Sequence, residues 1–257
     1  MTYQGKIRYR YSSLYKTMSG IGLGKEYWKE VTGVLREIIP VYDKVNRAIS
    51  LGNDAEFRLE GIRLRVFPGN LVLDAGSGFG NMSQLVLQEI KGQANIVMYD
   101  PIVEMLHNVR SFGLKNSDTY YHRISMATGV FEYIPFQSDI FDAVVCGYSL
   151  RDAIQLGPAI AEIHRVLKKE GRLIIVDIGK SNHPVIRAAS SFYLKYILSI
   201  IAFVIAGKEG VKFRTIHGTF LKWPANDVLY RMLANKFRRV EFKERMMGAA
   251  IIVAAYK

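Results

Sequence analysis

From Lys25 onward apolar residues return every three or four positions: Trp28, Val31, Val34, Leu35 and Ile38 share one face. That spacing predicts a helix, which Pro40 interrupts. Residues 42–52 predict another helical turn or two ending at Gly52, and a helix through Phe57, Ile62 and Leu64 leads to the turn Pro68-Gly69. The period then changes. Leu71, Val72 and Leu73 make a short apolar strand ending in Asp74, and residues 81–90 read as a helix with Met82, Leu85, Val86 and Ile90 on one face. Strands at 96–99, 119–124, 141–147 and 171–177 follow, with helices at 102–112 and 158–167 between them. The strand at 171–177 is almost wholly apolar, as a central parallel strand should be. Residues 240–245 and 249–255 predict two strands around Gly248. Repeated strand–helix units and a terminal hairpin predict a three-layer α/β fold, with a mostly parallel seven-stranded sheet closed by an antiparallel C-terminal hairpin.

The segment 196–207, YILSIIAFVIAG, interrupts this pattern. Twelve residues are too few to span a bilayer. The expectation is a helix with a core or lid role, begun near Pro184. The other reading is a surface that touches membrane or a lipid tail.

Length and charge set bounds on all of this. The 257 residues fit one domain with additions: a basic arm over 1–24, then a domain over 25–257 with a helical cap at 25–67 and the apolar helix at 184–207. The single cysteine, Cys146, excludes a disulfide within a monomer and points to a reducing, cytoplasmic setting. No cleavable leader pattern is visible. Five histidines without ligand spacing give no expectation of a metal. The net charge of +12 suits nucleic acid, an anionic membrane or an acidic substrate. Lys6, Arg8, Arg10 and Lys16 interleave with Tyr9, Tyr11 and Tyr15, which keeps an RNA-binding arm open beside a plain solvated terminus.

Candidate chemistry concentrates at Asp74-Ala75-Gly76-Ser77-Gly78-Phe79-Gly80, a strand end that breaks into alternating glycines before a helix. That geometry holds a nucleotide-like ligand at the carboxyl ends of a parallel sheet. A dinucleotide fingerprint has G-x-G-x-x-G, whereas here the third glycine comes one residue early. Asp74 stands where an ammonium could be held, and Asp100, at the end of the second strand, could accept hydrogen bonds from a ribose diol. These two motifs resemble those of class I S-adenosylmethionine (SAM) methyltransferases.

Tyr42-Asp43 with Asn46, Ser50 and Gly52 resembles the Y-D-x-x-N-x-x-x-S-x-G segment of the ubiquinone/menaquinone biosynthesis C-methyltransferase family. Ser149-Leu150-Arg151-Asp152 resembles its G-L-R-N signature, and Arg165-Val166-Leu167-Lys168 with Gly171-Arg172-Leu173 its R-V-L-K-P-G-G-R-L turn. Phe213-Arg214 sits where the family has Y-R. Phe79 replaces a threonine, Val130-Phe131 an adenine-binding polar residue, Asp152 an asparagine and Lys169 a proline.

The resemblance implies SAM as cofactor, held by Asp74, Gly76, Ser77, Gly78, Gly80, Asp100, Pro101, Val130, Phe131, Gly147 and Tyr148. It implies carbon methylation of a quinol carrying an isoprenoid tail, beside a membrane. In that reaction Arg151 would stabilise a phenolate, Asp152 or a water would be the base, and Tyr42 would contact the other ring oxygen or close the site. Competing readings are a methyltransferase for another lipid or small hydrophobic metabolite, an RNA methyltransferase, and a non-catalytic SAM-binding subunit. Peripheral membrane contact and a homodimer are the expected assemblies.

Overall fold

The computed structural model describes residues 20–41, 45, 52–107 and 122–257. At its centre is β1 (Leu71–Ala75), flanked by β2 (Asn95–Asp100) and β4 (Phe141–Gly147), all parallel. β3 (Ile124–Thr128) extends the sheet beyond β2, and β5 (Leu167–Ile178) beyond β4. β7 (Ala250–Tyr256) then pairs antiparallel with β5, and β6 (Arg239–Arg245) antiparallel with β7. The order is β3-β2-β1-β4-β5-β7-β6, so the expected seven strands and terminal hairpin are present.

Side chains alternate across this sheet, and each face has its own core. Leu73, Val144, Ile175 and Val253 point to one face, where α5 (Leu156–Val166) and α9 (Asn226–Ala234) cover them. Val72, Ala143, Val145 and Ile174 point to the other, under α2 (Asp54–Ile62) and α3 (Asn81–Glu89). The 3.6-residue spacing of α5 explains its placement: Ile160, Ile163 and Val166 are all buried.

α1 (Lys25–Glu37) forms as expected, buries Val31 and is followed by buried Ile38. α2 ends two residues earlier than expected. Leu64 lies beyond it, with φ 60° and 90% exposure, because the chain turns there toward Pro68. α4 (Val103–His107) opens the helix expected at 102–112, whose later residues lie outside those described. The third strand spans Ile124–Thr128, later than the 119–124 that the residue pattern predicts. Its partners decide this: Ile124 pairs with Ile96 and Thr128 with Asp100. Phe213-Arg214 closes a 3₁₀ segment (Gly207–Arg214) that precedes α8 (Thr215–Lys222), so two helices follow it rather than one.

The largest correction concerns the apolar segment. α6 (Pro184–Phe192) runs through a π-helical turn (Tyr193–Ile197) into α7 (Leu198–Ala206). Together they make a helix of about 23 residues, roughly 34 Å long. It ends at Gly207, whose φ of 59° with ψ of −137° favours glycine, and the 3₁₀ segment folds back against α7. By length and composition, the helical run Pro184–Lys222 is long and apolar enough to cross a membrane. Its burial is one-sided. Leu194, Leu198 and Ala202 join Ile38, Val45, Phe213 and Phe220 in a core of their own, while the opposite face is open.

Candidate active site

The loop after β1 sets the site. Gly76, Gly78 and Gly80 all have positive φ, and a Cβ on Gly76 would lie 2.4 Å from that of Ser149. Only glycine lets the β1 loop pass so close to the end of β4. Above this crossing lies a cleft at the carboxyl ends of the parallel strands, the place where an open α/β sheet takes its ligand. Asp74, Gly76, Ser77, Gly78, Asp100, Pro101, Val130, Phe131, Gly147, Tyr148 and Asp152 all line it. Gly80 does not line it: its φ of 83° starts α3, and its N–H donates to the Ser77 carbonyl at 2.8 Å. Tyr42 lies outside the described residues.

Two carboxylates mark the ends of β1 and β2. Asp74 Oδ2 accepts hydrogen bonds from Ser83 Oγ at 2.6 Å and Ser83 N at 3.0 Å, which ties the strand end to the first turn of α3. Asp100 accepts from Gly78 N and Ile102 N, each at 2.8 Å. Burial pushes both carboxyls up to about 6, although their hydrogen bonds oppose the shift. Each carboxylate has room for a further donor, since it offers about four lone-pair sites and these bonds use two.

Ser77 supplies a test of fit. Its hydroxyl is buried in the cleft wall and has no hydrogen-bond partner. A buried polar atom left without a partner costs about 1–3 kcal/mol, so a polar ligand in the cleft would relieve it. Phe131 offers a ring in the same wall. Val130 keeps only backbone polarity, and its carbonyl already accepts from the Tyr99 hydroxyl at 3.0 Å. An acid at each strand tip, an unsatisfied hydroxyl and an aromatic wall fit an adenosyl group with an amino-acid end.

The turn after β4 forms another wall of the cleft. Tyr148 adopts φ 61°, a strained value for a bulky residue, and Leu150–Asp152 follow as a single 3₁₀ turn. The turn sends its two charged residues in different directions. Arg151 Nη1 donates to Asp177 Oδ1 on β5 at 2.7 Å and to the Tyr148 carbonyl at 2.6 Å. Arg151 is thus bound to the sheet and the turn backbone, and it is not among the residues that line the cleft. Asp152 faces the cleft instead. Its Oδ1 is buried without a hydrogen-bond partner, 3.8 Å from Arg151 Nε. Burial pushes this carboxyl up to about 6, against the pull of Arg151.

Other lining residues escaped the sequence reading. Trp28, Thr32 and Leu35 come from α1, which covers the cleft as a lid. Phe79 is fully buried and packs with Ile102 and Met105 against Leu35, joining loop to lid. Arg58 enters from α2: it is buried, pairs with Asp54 at 2.5 Å and lies over the Tyr148 ring at 4.7 Å. Its Nε has no hydrogen-bond partner. The Asp54–Arg58 spacing of four was the local signal, but only the packed fold aims that side chain at the cleft.

The profile of the ubiE/COQ5 methyltransferase family matches residues 23–257. The ubiquinone/menaquinone biosynthesis C-methyltransferase UbiE of Geotalea uraniireducens is 24% identical, over 90% of this chain and 98% of its own. That of Blochmanniella pennsylvanica is 28% identical, over 88% and 89%. Among solved structures, a SAM-dependent methyltransferase from Thermotoga maritima superposes with a TM-score of 0.59 at 13% identity, covering 88% of this chain and 99% of its own. One from Aquifex aeolicus gives 0.53 at 14%, covering 83% and 97%. These structures show the shared fold.

Proposed function

Because the chain belongs to the ubiE/COQ5 methyltransferase family and so uses S-adenosylmethionine, we propose that it methylates a ring carbon of a prenylated quinol precursor in quinone biosynthesis. The observation that carries this reading is the Asp152 carboxylate: without a hydrogen bond at Oδ1, raised to about 6, and lining the cleft. When bound, the cofactor supplies a methyl group on a sulfonium, an electrophile that needs alignment with an electron-rich carbon.

The chain's own residues do the rest. Asp152 takes the phenolic proton, and the resulting phenolate pushes electron density onto the adjacent ring carbon. A base titrating near 6 is ionised at neutral pH and still basic enough to accept that proton. Arg151, held by Asp177, acts as a positioning residue: it fixes the turn and favours the ionised form of Asp152. Asp74 and Arg58 hold the two charges of the amino-acid end, carboxylate to ammonium and guanidinium to carboxylate. Asp100 accepts from the ribose diol, and Ser77 finds its missing partner on the same ligand. The lid helix α1 excludes water from the reacting atoms. The fully buried Cys146 thiol, pushed up by burial, fits a reducing cytoplasm.

Incubating the purified protein with methyl-labelled SAM and total lipid tests the assignment. A labelled quinone is the expected product, and label confined to other lipids overturns it. A different hydrophobic acceptor is the second reading. Asp152 favours it, since the family signature has an asparagine there and the acceptor contacts that position.

A further inference from the structure

The helix made by α6, the π turn and α7 is apolar on both sides, and among the described residues only one side packs into a core. Inward, Leu194, Leu198 and Ala202 pack against α1 through Val34, Leu35 and Ile38. Outward, Phe192, Tyr196, Ile200, Phe203 and Val204 form a continuous stripe at helical spacing, with Ile200 61% and Val204 77% exposed. Val185 prolongs the stripe to the start of α6. Isolated exposed apolar residues are ordinary on a protein surface, but a contiguous band of large ones marks a contact surface.

We propose that this face lies in the headgroup–acyl boundary of an anionic bilayer, with the helix parallel to the membrane plane. Charge selects the occupant. Between Pro184 and Lys222 the cations Arg187, Lys195, Lys208, Lys212, Arg214 and Lys222 meet one acid, Glu209. Glu209 is paired to Lys212, and Lys195, Lys208, Arg214 and Lys222 are exposed. Lys195 also reaches over the Tyr196 ring, at 5.0 Å, so one cation stands at the rim of the stripe. A second copy of the chain would bring these cations against each other. Anionic headgroups would neutralise them, and each basic residue near such a surface adds about 1 kcal/mol of attraction.

The same packing rules out a spanning orientation. Crossing the bilayer would strip Leu194, Leu198 and Ala202 from their core with Phe213 and Phe220, and expose that core to lipid or water. An in-plane helix keeps the inner contacts and buries the outer stripe. It also brings α1 close to the bilayer, because Leu35 packs against the helix core and lines the cleft. The placement rests on the surface itself and holds whatever acceptor the enzyme methylates.

Co-sedimentation of the full chain with vesicles tests it without any turnover. The chain should pellet with vesicles of equal parts phosphatidylglycerol and phosphatidylcholine, pellet weakly with phosphatidylcholine alone, and be partly released by salt. The Ile200→Asp/Phe203→Asp pair should weaken binding at least about tenfold. The single Val204→Asp, at the most exposed position of the stripe, serves if the pair fails to fold; unchanged SAM affinity certifies the fold. Failure of the wild type to bind either vesicle overturns the proposal, as does wild-type binding by a folded variant. A dimer in solution that these variants dissociate, with no vesicle binding, assigns the face to a second copy and overturns it too.

Discussion

Arg151 and Asp177 form a buried ion pair, Nη1 to Oδ1 at 2.7 Å, that links the turn after β4 to the interior of β5. Asp177 is wholly buried, and its Oδ1 also accepts from Ile178 N at 2.8 Å. The pair ties the arginine to the sheet, while its neighbour, Asp152, lines the cleft.

Removing the cation strands the acid. Arg151→Met should lower unfolding free energy by about 3–5 kcal/mol, the usual cost of breaking one partner from a buried pair. Arg151→Met/Asp177→Leu should recover most of that loss. Urea unfolding of both variants checks the contrast, and equal stabilities would dissolve the structural role.

Turnover should depend on an ionised Asp152. Rate should climb as pH rises through about 6 and then level off. Asp152→Asn should lose about a hundredfold or more and flatten that rise. A pH–rate profile of the two proteins decides the matter, and an unchanged slope in the variant removes Asp152 as the base.

Arg58 should matter for one end of the cofactor only. Arg58→Met should weaken SAM binding about 10- to 100-fold, the worth of a charge-assisted contact. Binding of 5′-methylthioadenosine, which lacks the amino-acid end, should hold. Calorimetry with both ligands separates a lost contact from a damaged pocket, because damage would weaken both.

Asp74, Asp100 and Asp152 make the unliganded protein less stable as pH rises. Their folded-state values near 6 exceed the unfolded value near 3.9, so the folded state binds more protons between about 4 and 6. Their contribution therefore falls across that window and stays low above it. Asp152→Asn should raise apo stability above pH 6 by on the order of 1 kcal/mol, with the gain vanishing below about 4. Melting curves across pH measure it. Asp139 and Glu162, held below their usual range by Lys257 and Arg165, act in the opposite sense on both proteins and cancel in the comparison.

The stretch Leu71 to Gly80 could be read from sequence because everything that defines it is local: an apolar run, an acid, and glycines where φ must be positive. The strands at 141–147 and 171–177 were legible for the same reason. Arg58 was not. Its role depends on α2 crossing the sheet near Gly147 and Tyr148, almost ninety positions on in the chain. The pairing of Arg151 with Asp177 was not legible either, because a sequence does not say which way a strand-end turn aims its side chains. The apolar helix was legible only in part: hydropathy records that Ile200 and Phe203 avoid water but not whether protein covers them.

The place of β7 has its own consequence. This strand, the latest along the chain, lies inside the sheet between β5 and β6, with all but its final residue buried. During synthesis the β5 edge, with Ile174, Ile175 and Val176, must therefore wait unpaired until residues 250–256 have left the ribosome. A nascent chain of this kind carries an open apolar strand edge from the completion of β5 until β7 emerges, and a polypeptide lacking residues 250–256 would keep that edge exposed and aggregation-prone.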